Sequence, residues 1–435
     1  MSADIHPFHP DDNPEEDAPP VDLHGERSVY LDAYLAPFRE WLERDTVTEI
    51  LVNGPGEVWV EDASVGGMQR IVRPDIDDRL IQRLAEQVAR VSHQGINREH
   101  PLLGATLPGG ARVQFCGPPA ARKHWAMAIR RHRRLDLPLD AYDTGPLAAS
   151  QRGPMPDAQA EPIAFLREAI RQRRTILVSG GTSTGKTTFL NAMLGEIPKH
   201  ERVVLVEDTP ELKLPGKNGI GLVAVKGELG EAKVTANELL QAALRLRPDR
   251  IVLGELRIVE SVSFLRAINT RHPGSFSTIH ANSLRGALEQ LSLMVMQTGI
   301  GLTRSDTIAY AASVIDVMVQ LGRDENGKRG IAQIAESHTL VWQRQFASPE
   351  KISAFRSVIP DALLRCADNT RQNSSVFCAT LMRKRLRAYE CVLAIHHRLQ
   401  RRPHGEERVN EGKGYLARGY LRECNCVSGS GTGHG

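Results

Sequence analysis

The chain has 435 residues, enough for two or three domains with buried cores. Its 41% hydrophobic and 25% charged residues describe an ordinary globular protein, a net charge of +3 selects neither nucleic acid nor membrane, and 5% aromatics argue against base-stacking surfaces. No apolar run is long enough to span a bilayer, the acidic proline-rich start is unlike a secretory signal, and six cysteines in this length make no disulfide framework, so a cytoplasmic protein is expected.

Residues 1–27 hold Pro7, Pro10, Pro14, Pro19 and Pro20 among Asp11, Asp12, Glu15, Glu16 and Asp17, a composition expected to form a solvated, disordered arm. From Val29 onward, Leu31, Tyr34, Leu35, Phe38, Trp41 and Leu42 recur at helical spacing, and Pro37 suits the first turn of a second short helix. This stripe reads as core-facing, with a membrane-facing use as the alternative. Thr48 to Glu61 contains two alternating stretches around Asn53, Gly54, Pro55 and Gly56, the pattern of a β-hairpin. Ile76, Leu80, Leu84, Val88 and Val91 mark an amphipathic helix with Asp75 as its expected cap, and residues 111–116 and 126–130 read as strands. Together they predict a small α+β domain over residues 28–133, followed by a proline- and glycine-rich linker over 134–158. From Glu161 the pattern alternates helix and strand, as a parallel α/β sheet demands. Strands are predicted at 175–179, 202–206, 250–254, 275–279 and 314–321, with helices at about 162–172, 187–195, 236–246, 260–269 and 283–298. The resulting α/β domain is placed at residues 159–335.

Four stretches in this second domain carry chemistry. Gly180, Gly185, Lys186 and Thr187 satisfy the phosphate-loop spacing G-x-x-x-x-G-K-[ST], between a predicted strand and a predicted helix. Its glycines let backbone N–H groups of Gly181, Thr182, Ser183, Thr184 and Gly185 point inward at phosphate oxygens, and the helix start at Lys186, Thr187 and Thr188 adds partial positive charge. Lys186 is expected to reach the β- and γ-phosphates of ATP, and the Thr187 hydroxyl to bind Mg²⁺. Glu207 and Asp208 follow an apolar run, so they project from the carboxyl end of a strand, where active-site residues of such sheets sit; Glu207 is the candidate for orienting the attacking water. Arg250 to Glu255 has the Walker B pattern, an apolar run ending in an acid, which makes Glu255 a candidate to support Mg²⁺ through water. His280 follows another strand and is the candidate reader of the γ-phosphate; His272, in a Pro-Gly turn before that strand, is a weaker one.

These four elements, in this order, resemble the traffic ATPases of type IV secretion systems, the hexameric secretion and conjugal DNA-transfer ATPases. Residues 179–191 resemble the family's Walker A, 206–212 its acidic box, 246–257 its Walker B and 272–281 its histidine box. The likeness extends to residues 48–60 and 107–113 and covers about 29–335. It implies a RecA-like P-loop motor domain behind a small N-terminal α+β domain. It also implies a homohexamer with nucleotide between the two domains, and Mg²⁺-dependent ATP hydrolysis by Lys186, Glu207, Glu255 and His280. The motor would be peripheral at the cytoplasmic face of the inner membrane, beside other type IV secretion ATPases and inner-membrane channel components. Arginines of the N-terminal domain touch nucleotide in this family; Arg112 and Arg130 stand in the matching stretches, with Arg131 close by, and a solvated basic patch over 130–134 is the alternative. The chain departs from the family at Ile258 and Val259, where Gly-Ala is usual, and at Arg271, where Gly is usual. Bulky residues there are expected to restrict a backbone that glycine leaves free.

The resemblance fades after Ile334. The last hundred residues hold Cys366, Cys378, Cys391, Cys424 and Cys426, basic clusters at 383–387 and 398–402, and a Gly/Ser-rich end. A basic arm for nucleic acid or anionic lipid is one reading of this atypical tail; out-of-frame or disordered sequence is preferred. Besides a motor for substrate transfer or pilus assembly, two readings stay open. One is a nucleotide-gated docking hub with slow hydrolysis. The other is a pilus or type II secretion ATPase, although type II members commonly carry paired C-x-x-C zinc ligands and this chain has none. Direct nucleic-acid binding has no positive support in the composition.

Overall fold

The computed structural model describes residues 29–131, 153–225, 232–270 and 272–340. The acidic arm, most of the proline-rich linker, Arg271 and the cysteine-bearing tail lie outside the described residues.

The N-terminal domain begins with α1 (Val29–Leu35), a 3₁₀ turn (Ala36–Phe38) containing Pro37, and α2 (Arg39–Leu42). Leu31, Phe38 and Trp41 are buried, so the apolar stripe faces the core. The expected hairpin is β1 (Val47–Val52) paired with β2 (Gly56–Asp62), with Leu51 opposite Trp59. Gly56 starts β2 at φ 85°, a left-handed angle that favours glycine. The hairpin joins β3 (Met68–Arg73), β4 (Leu102–Thr106), β5 (Arg112–Cys116) and β6 (Ala126–Arg130) in an antiparallel sheet of order β3-β2-β1-β6-β5-β4. Helix α3 (Asp78–Val91) buries Ile81, Leu84, Ala85 and Val88, one face at i, i+3, i+4 and i+7. Its cap is Asp77 rather than Asp75: the Asp77 carboxylate accepts the Leu80 N–H at 2.7 Å. The chain enters the helix one residue after Ile76, which is buried, and Asp75 is left on the surface in a fork with Arg73 at 2.7–2.8 Å.

The second, α/β domain contains α4 (Pro162–Arg171), β7 (Ile176–Gly180), α5 (Lys186–Gly195), β8 (Val203–Glu207), β9 (Gly219–Val223), α6 (Ala236–Ala243) and β10 (Arg250–Leu253). It continues through α7 (Ile258–Asn269), β11 (Phe276–Ile279), α8 (Leu284–Gln297), α9 (Arg304–Val314), β12 (Val317–Arg323) and β13 (Arg329–Glu336). The sheet order is β13-β12-β7-β11-β10-β8-β9, parallel throughout except for the antiparallel edge strand β13. Both faces are covered, so the strands read as continuous apolar runs. Ile176, Val178, Val203 and Leu205 face α4 and α5, while Leu177, Val204 and Val206 face α6, α7 and α8. The expected strand at 314–321 starts late, at Val317, because Val314 closes α9.

The two sheets meet along the β8–β9 side of the larger sheet. The Val223 N–H donates to Ala120 O at 2.8 Å, and the Arg202 guanidinium donates to the side chains of Asn53 and Asn218, each at 2.7 Å. Arg247 is forked on Glu61.

At the foot of β10, Arg250 is fully buried against Glu201, at 2.5 and 3.0 Å, and also donates to Ile170 O at 2.8 Å. Removing one partner of such a pair leaves an uncompensated buried charge. Arg250→Leu is expected to destabilise the α/β domain by roughly 3 kcal/mol. Chemical denaturation checks this; an unchanged midpoint would mean that Glu201 has found another partner.

Candidate functional site

Strand register builds the site. Ser179 of β7 lies beside Ile279 of β11, and Leu253 of β10 lies beside both Ser277 of β11 and Val206 of β8. The carboxyl ends of four strands therefore share one edge, and the residues just past them converge: Gly181 onward, His280, Glu255 and Glu207.

The loop after β7 curls as its sequence demands. Gly185 has φ 88° and Ser183 φ 61°, and the Thr184 hydroxyl donates to Gly181 O at 2.8 Å. A side chain on Gly180 would collide with Thr184, and one on Gly181 would come within 3.3 Å of the Asn282 amide oxygen. Helix α5 starts at Lys186 without a side-chain cap, so its first N–H groups face the loop's concavity. The Lys186 ammonium donates to Gly180 O at 2.9 Å and Gly181 O at 3.1 Å and lies 3.2 Å from His280 Nδ1. Burial pulls its pKa below the ordinary lysine value, opposed by the charge of Glu255. His280 Nε2 is 2.9 Å from Glu255, which also faces Arg257 at 3.7 Å. Lys186, His280 and Glu255 thus form one contact chain across the ends of three strands.

These groups line a cavity of about 360 Å³. Of the predicted residues, Ser183, Gly185, Lys186, Thr187, Thr188, Glu255 and His280 line it, whereas Gly181, Thr182 and Thr184 shape the loop without lining it. Thr187 and Glu255 offer hard oxygen donors to the cavity, a donor set that fits Mg²⁺, an ion that keeps water among its other ligands.

Glu207 is placed one layer back. Its Oε1 accepts the N–H groups of Glu211 at 2.9 Å and Leu212 at 2.8 Å, and its Oε2 pairs with Arg122 of the N-terminal domain. Gly254 stands between it and the cavity; a Cβ there would lie 3.2 Å from Glu207 Cγ. Asp208 is engaged by Arg257. His272 is held by Pro248 O at 3.0 Å, and burial lowers its pKa, with that hydrogen bond opposing. Arg112 and Arg130 face each other across β5 and β6, and neither lines the cavity within one chain. Arg131 is committed to the turn before β1, donating to the carbonyls of Trp41, Arg44 and Val47. Glu211, Gly254, Thr278 and Arg329 line the cavity unforeseen. Glu211 lies four residues past Glu207 in the same acidic box; Arg329 comes from a strand that the pattern did not reveal.

Residues 33–401 match the Type II/IV secretion system protein family. The chain belongs to that family. It is 39% identical over 325 residues to the type IV secretion system protein PtlH of Bordetella pertussis, covering 69% of this chain and 93% of that one. It is 34% identical over 326 residues to the type IV secretion system protein VirB11 of Bartonella henselae, covering 69% and 91%. The crystal structure of the VirB11 ATPase from the Brucella suis type IV secretion system, in complex with sulphate, superposes with a TM-score of 0.63 at 32% identity over 71% of this chain and 95% of that one. The family match runs to residue 401, well past Ile334, so family resemblance extends into the tail further than the motifs do.

The family's usual Gly-Ala position is occupied here without backbone strain. Ile258 and Val259 open α7 at ordinary negative φ and are 43% and 58% exposed.

Beside Arg130, Glu49 has a side chain only 8% exposed, 3.6 Å from that guanidinium. Burial pushes its carboxyl from 4.5 up to about 7, with Arg130 opposing. A raised carboxyl pKa means that the folded state holds the extra proton. The associated stability is full below about pH 4.5 and is lost as pH rises through about 7. Glu49→Gln is therefore expected to raise Tm relative to wild type at pH 8 and to leave it unchanged at pH 5. Equal shifts at both values would show that Glu49 is already ionised in the fold.

Proposed function

We propose that this protein is a Mg²⁺-dependent ATPase, a homohexameric motor that energises substrate transfer or pilus assembly in a type IV secretion system. The observation that carries the reading is the contact chain Lys186–His280–Glu255 across the mouth of a phosphate loop, in a chain sharing 34–39% identity with type IV secretion proteins. Lys186 and the first N–H groups of α5 bind the β- and γ-phosphates, and Thr187 with Glu255 holds Mg²⁺, which when bound neutralises developing phosphate charge. His280, whose two nitrogens face Lys186 and Glu255, is placed to exchange one of these contacts for a γ-phosphate oxygen. Glu207 orients the attacking water from behind Gly254, where the missing side chain leaves room. Arg112 and Arg130 are assigned to nucleotide contact within the assembled ring. No described helix is long and apolar enough to cross a membrane, and the reading places the ring peripherally at the inner membrane, docked to channel components and other secretion ATPases.

One observation favours a second reading, a nucleotide-gated docking hub: both Glu207 oxygens are already engaged, by the Glu211 and Leu212 amides and by Arg122. Hydrolysis measured against protein concentration, with Lys186→Ala as the blank, separates the two. Activity per subunit that climbs steeply and saturates as rings assemble is the motor's outcome; ATP binding with turnover no higher than the blank is the hub's. For the motor, Glu207→Gln is expected to slow turnover about 100-fold or more while leaving ATP affinity within about twofold. A parallel loss of binding and turnover would remove Glu207 from the water-positioning role.

A further inference from the structure

The phosphate loop is gripped from a side that its own motif does not mention. The β12–β13 hairpin sets Arg323 opposite Arg329 at its turn end. The Arg323 guanidinium donates to Ser183 O at 2.8 Å, latching the hairpin to the loop. Arg329 lines the cavity, and its Cδ lies 3.2 Å from where a Cβ on Gly185 would stand. The side chain therefore lies along the glycine that precedes Lys186, in space that any other residue at 185 would contest.

Charge then decides what this guanidinium is for. Arg122 is neutralised by Glu207 and Arg257 by Asp208, yet the Arg329 guanidinium has no hydrogen bond or ion pair among the described residues. A planar cation with open donors, beside the N-terminus of α5 and a cradle of N–H groups, is complementary to a phosphate oxygen. The sheet order says which phosphate. With β13-β12-β7-β11-β10 as the sequence of strands, His280 and Glu255 approach the loop from the β11–β10 side and Arg329 from the opposite flank. The γ-phosphate belongs with His280 and Glu255, so Arg329 meets the end of the chain nearer the ribose.

We propose that Arg329 is a nucleotide-binding residue that contacts the α- or β-phosphate of a bound nucleoside di- or triphosphate, delivered by the β12–β13 hairpin. This rests on the reading of the cavity as a nucleotide site. The contact is made in both the ATP and ADP states, because it avoids the γ-phosphate.

The test is ATP and ADP affinity of the full chain by calorimetry in the presence of Mg²⁺, for wild type, Arg329→Ala, Arg329→Lys and Lys186→Ala. Arg329→Ala is expected to weaken ATP and ADP alike, by about tenfold, with Arg329→Lys recovering part of the loss. Its Tm without nucleotide should match wild type, since the side chain is exposed, while the nucleotide-induced rise in Tm shrinks. Affinities within twofold of wild type for Arg329→Ala, together with a clear loss for Lys186→Ala, would overturn the Arg329 contact and leave the nucleotide site standing. Weakening of ATP alone would overturn its placement away from the γ-phosphate. If Lys186→Ala also binds normally, the nucleotide reading and the proposal fall together.

Discussion

The structure depends on the in-phase ending of parallel strands. Because the register sets Ser179 of β7 beside Ile279 of β11, and Leu253 of β10 beside Ser277 of β11 and Val206 of β8, residues from four separate stretches of chain arrive at one edge, where side-chain contacts then link them. Both faces of the sheet are apolar and covered, so a one-residue slip would draw the polar residues at or just past the strand ends, Glu207 and Glu255 among them, toward the buried sheet. The buried Arg250–Glu201 pair pins the opposite end of β10 and holds Glu255 at the right height from below.

The N-terminal domain presses along the β8–β9 side, from Arg202 at the amino end of β8 to Glu207 at its carboxyl end. Its contacts with the motor domain combine a shared apolar cluster, Leu51, Trp59, Ala121 and Ala128 with Val204, Ile220 and Leu222, with polar and charged pairs: Arg247 with Glu61, Arg202 with Asn53, and Arg122 with Glu207. Arg202 is fully buried, and desolvation lowers its pKa to about 9, with the nearby charge of Arg247 adding to the shift. Paired charges in a low-dielectric seam have steep geometric preferences, so the domains favour defined relative positions. The Arg122–Glu207 pair ties one of those positions to an acidic-box carboxylate. A movement of the N-terminal domain would therefore be felt at β8 through this pair and at β9 through the Val223–Ala120 and Arg122–Gly221 backbone hydrogen bonds.

Much of this was legible in the sequence, and the exceptions share physical causes. The five central strands of the motor domain were visible because burial on both faces writes a continuous apolar run, and the phosphate loop because its glycines and lysine are adjacent. Strand β9, with Gly219 and Gly221 in five residues, and β13, half polar and at the sheet edge, carry no such run. The loss of β13 from the reading concealed Arg329. The sequence points to Asp75 instead of Asp77 because both acids precede the same apolar periodicity, and only the buried Ile76 between them settles where the helix begins. Glu207 was correctly placed at a strand end, but a sequence pattern holds no information on which way a carboxylate turns. That is decided by the Glu211 and Leu212 amides, on a turn that the acidic box makes after β8.

The unusual Ile258 and Val259 illustrate how a motif departure changes meaning once the backbone is known. Glycine is needed where φ is positive or where another atom sits in the place of Cβ, and this position has neither demand. In the first turn of α7 the β-branched pair lowers backbone freedom in the unfolded chain and costs a few tenths of a kcal/mol in helix propensity, a small sum either way. Their consequence is at the surface. They stand directly after Arg257, the residue that bridges Asp208 and Glu255, and place apolar area next to the acidic end of the site. An effect of these residues on turnover would therefore run through what packs on α7 in the assembled protein and not through strain within the subunit.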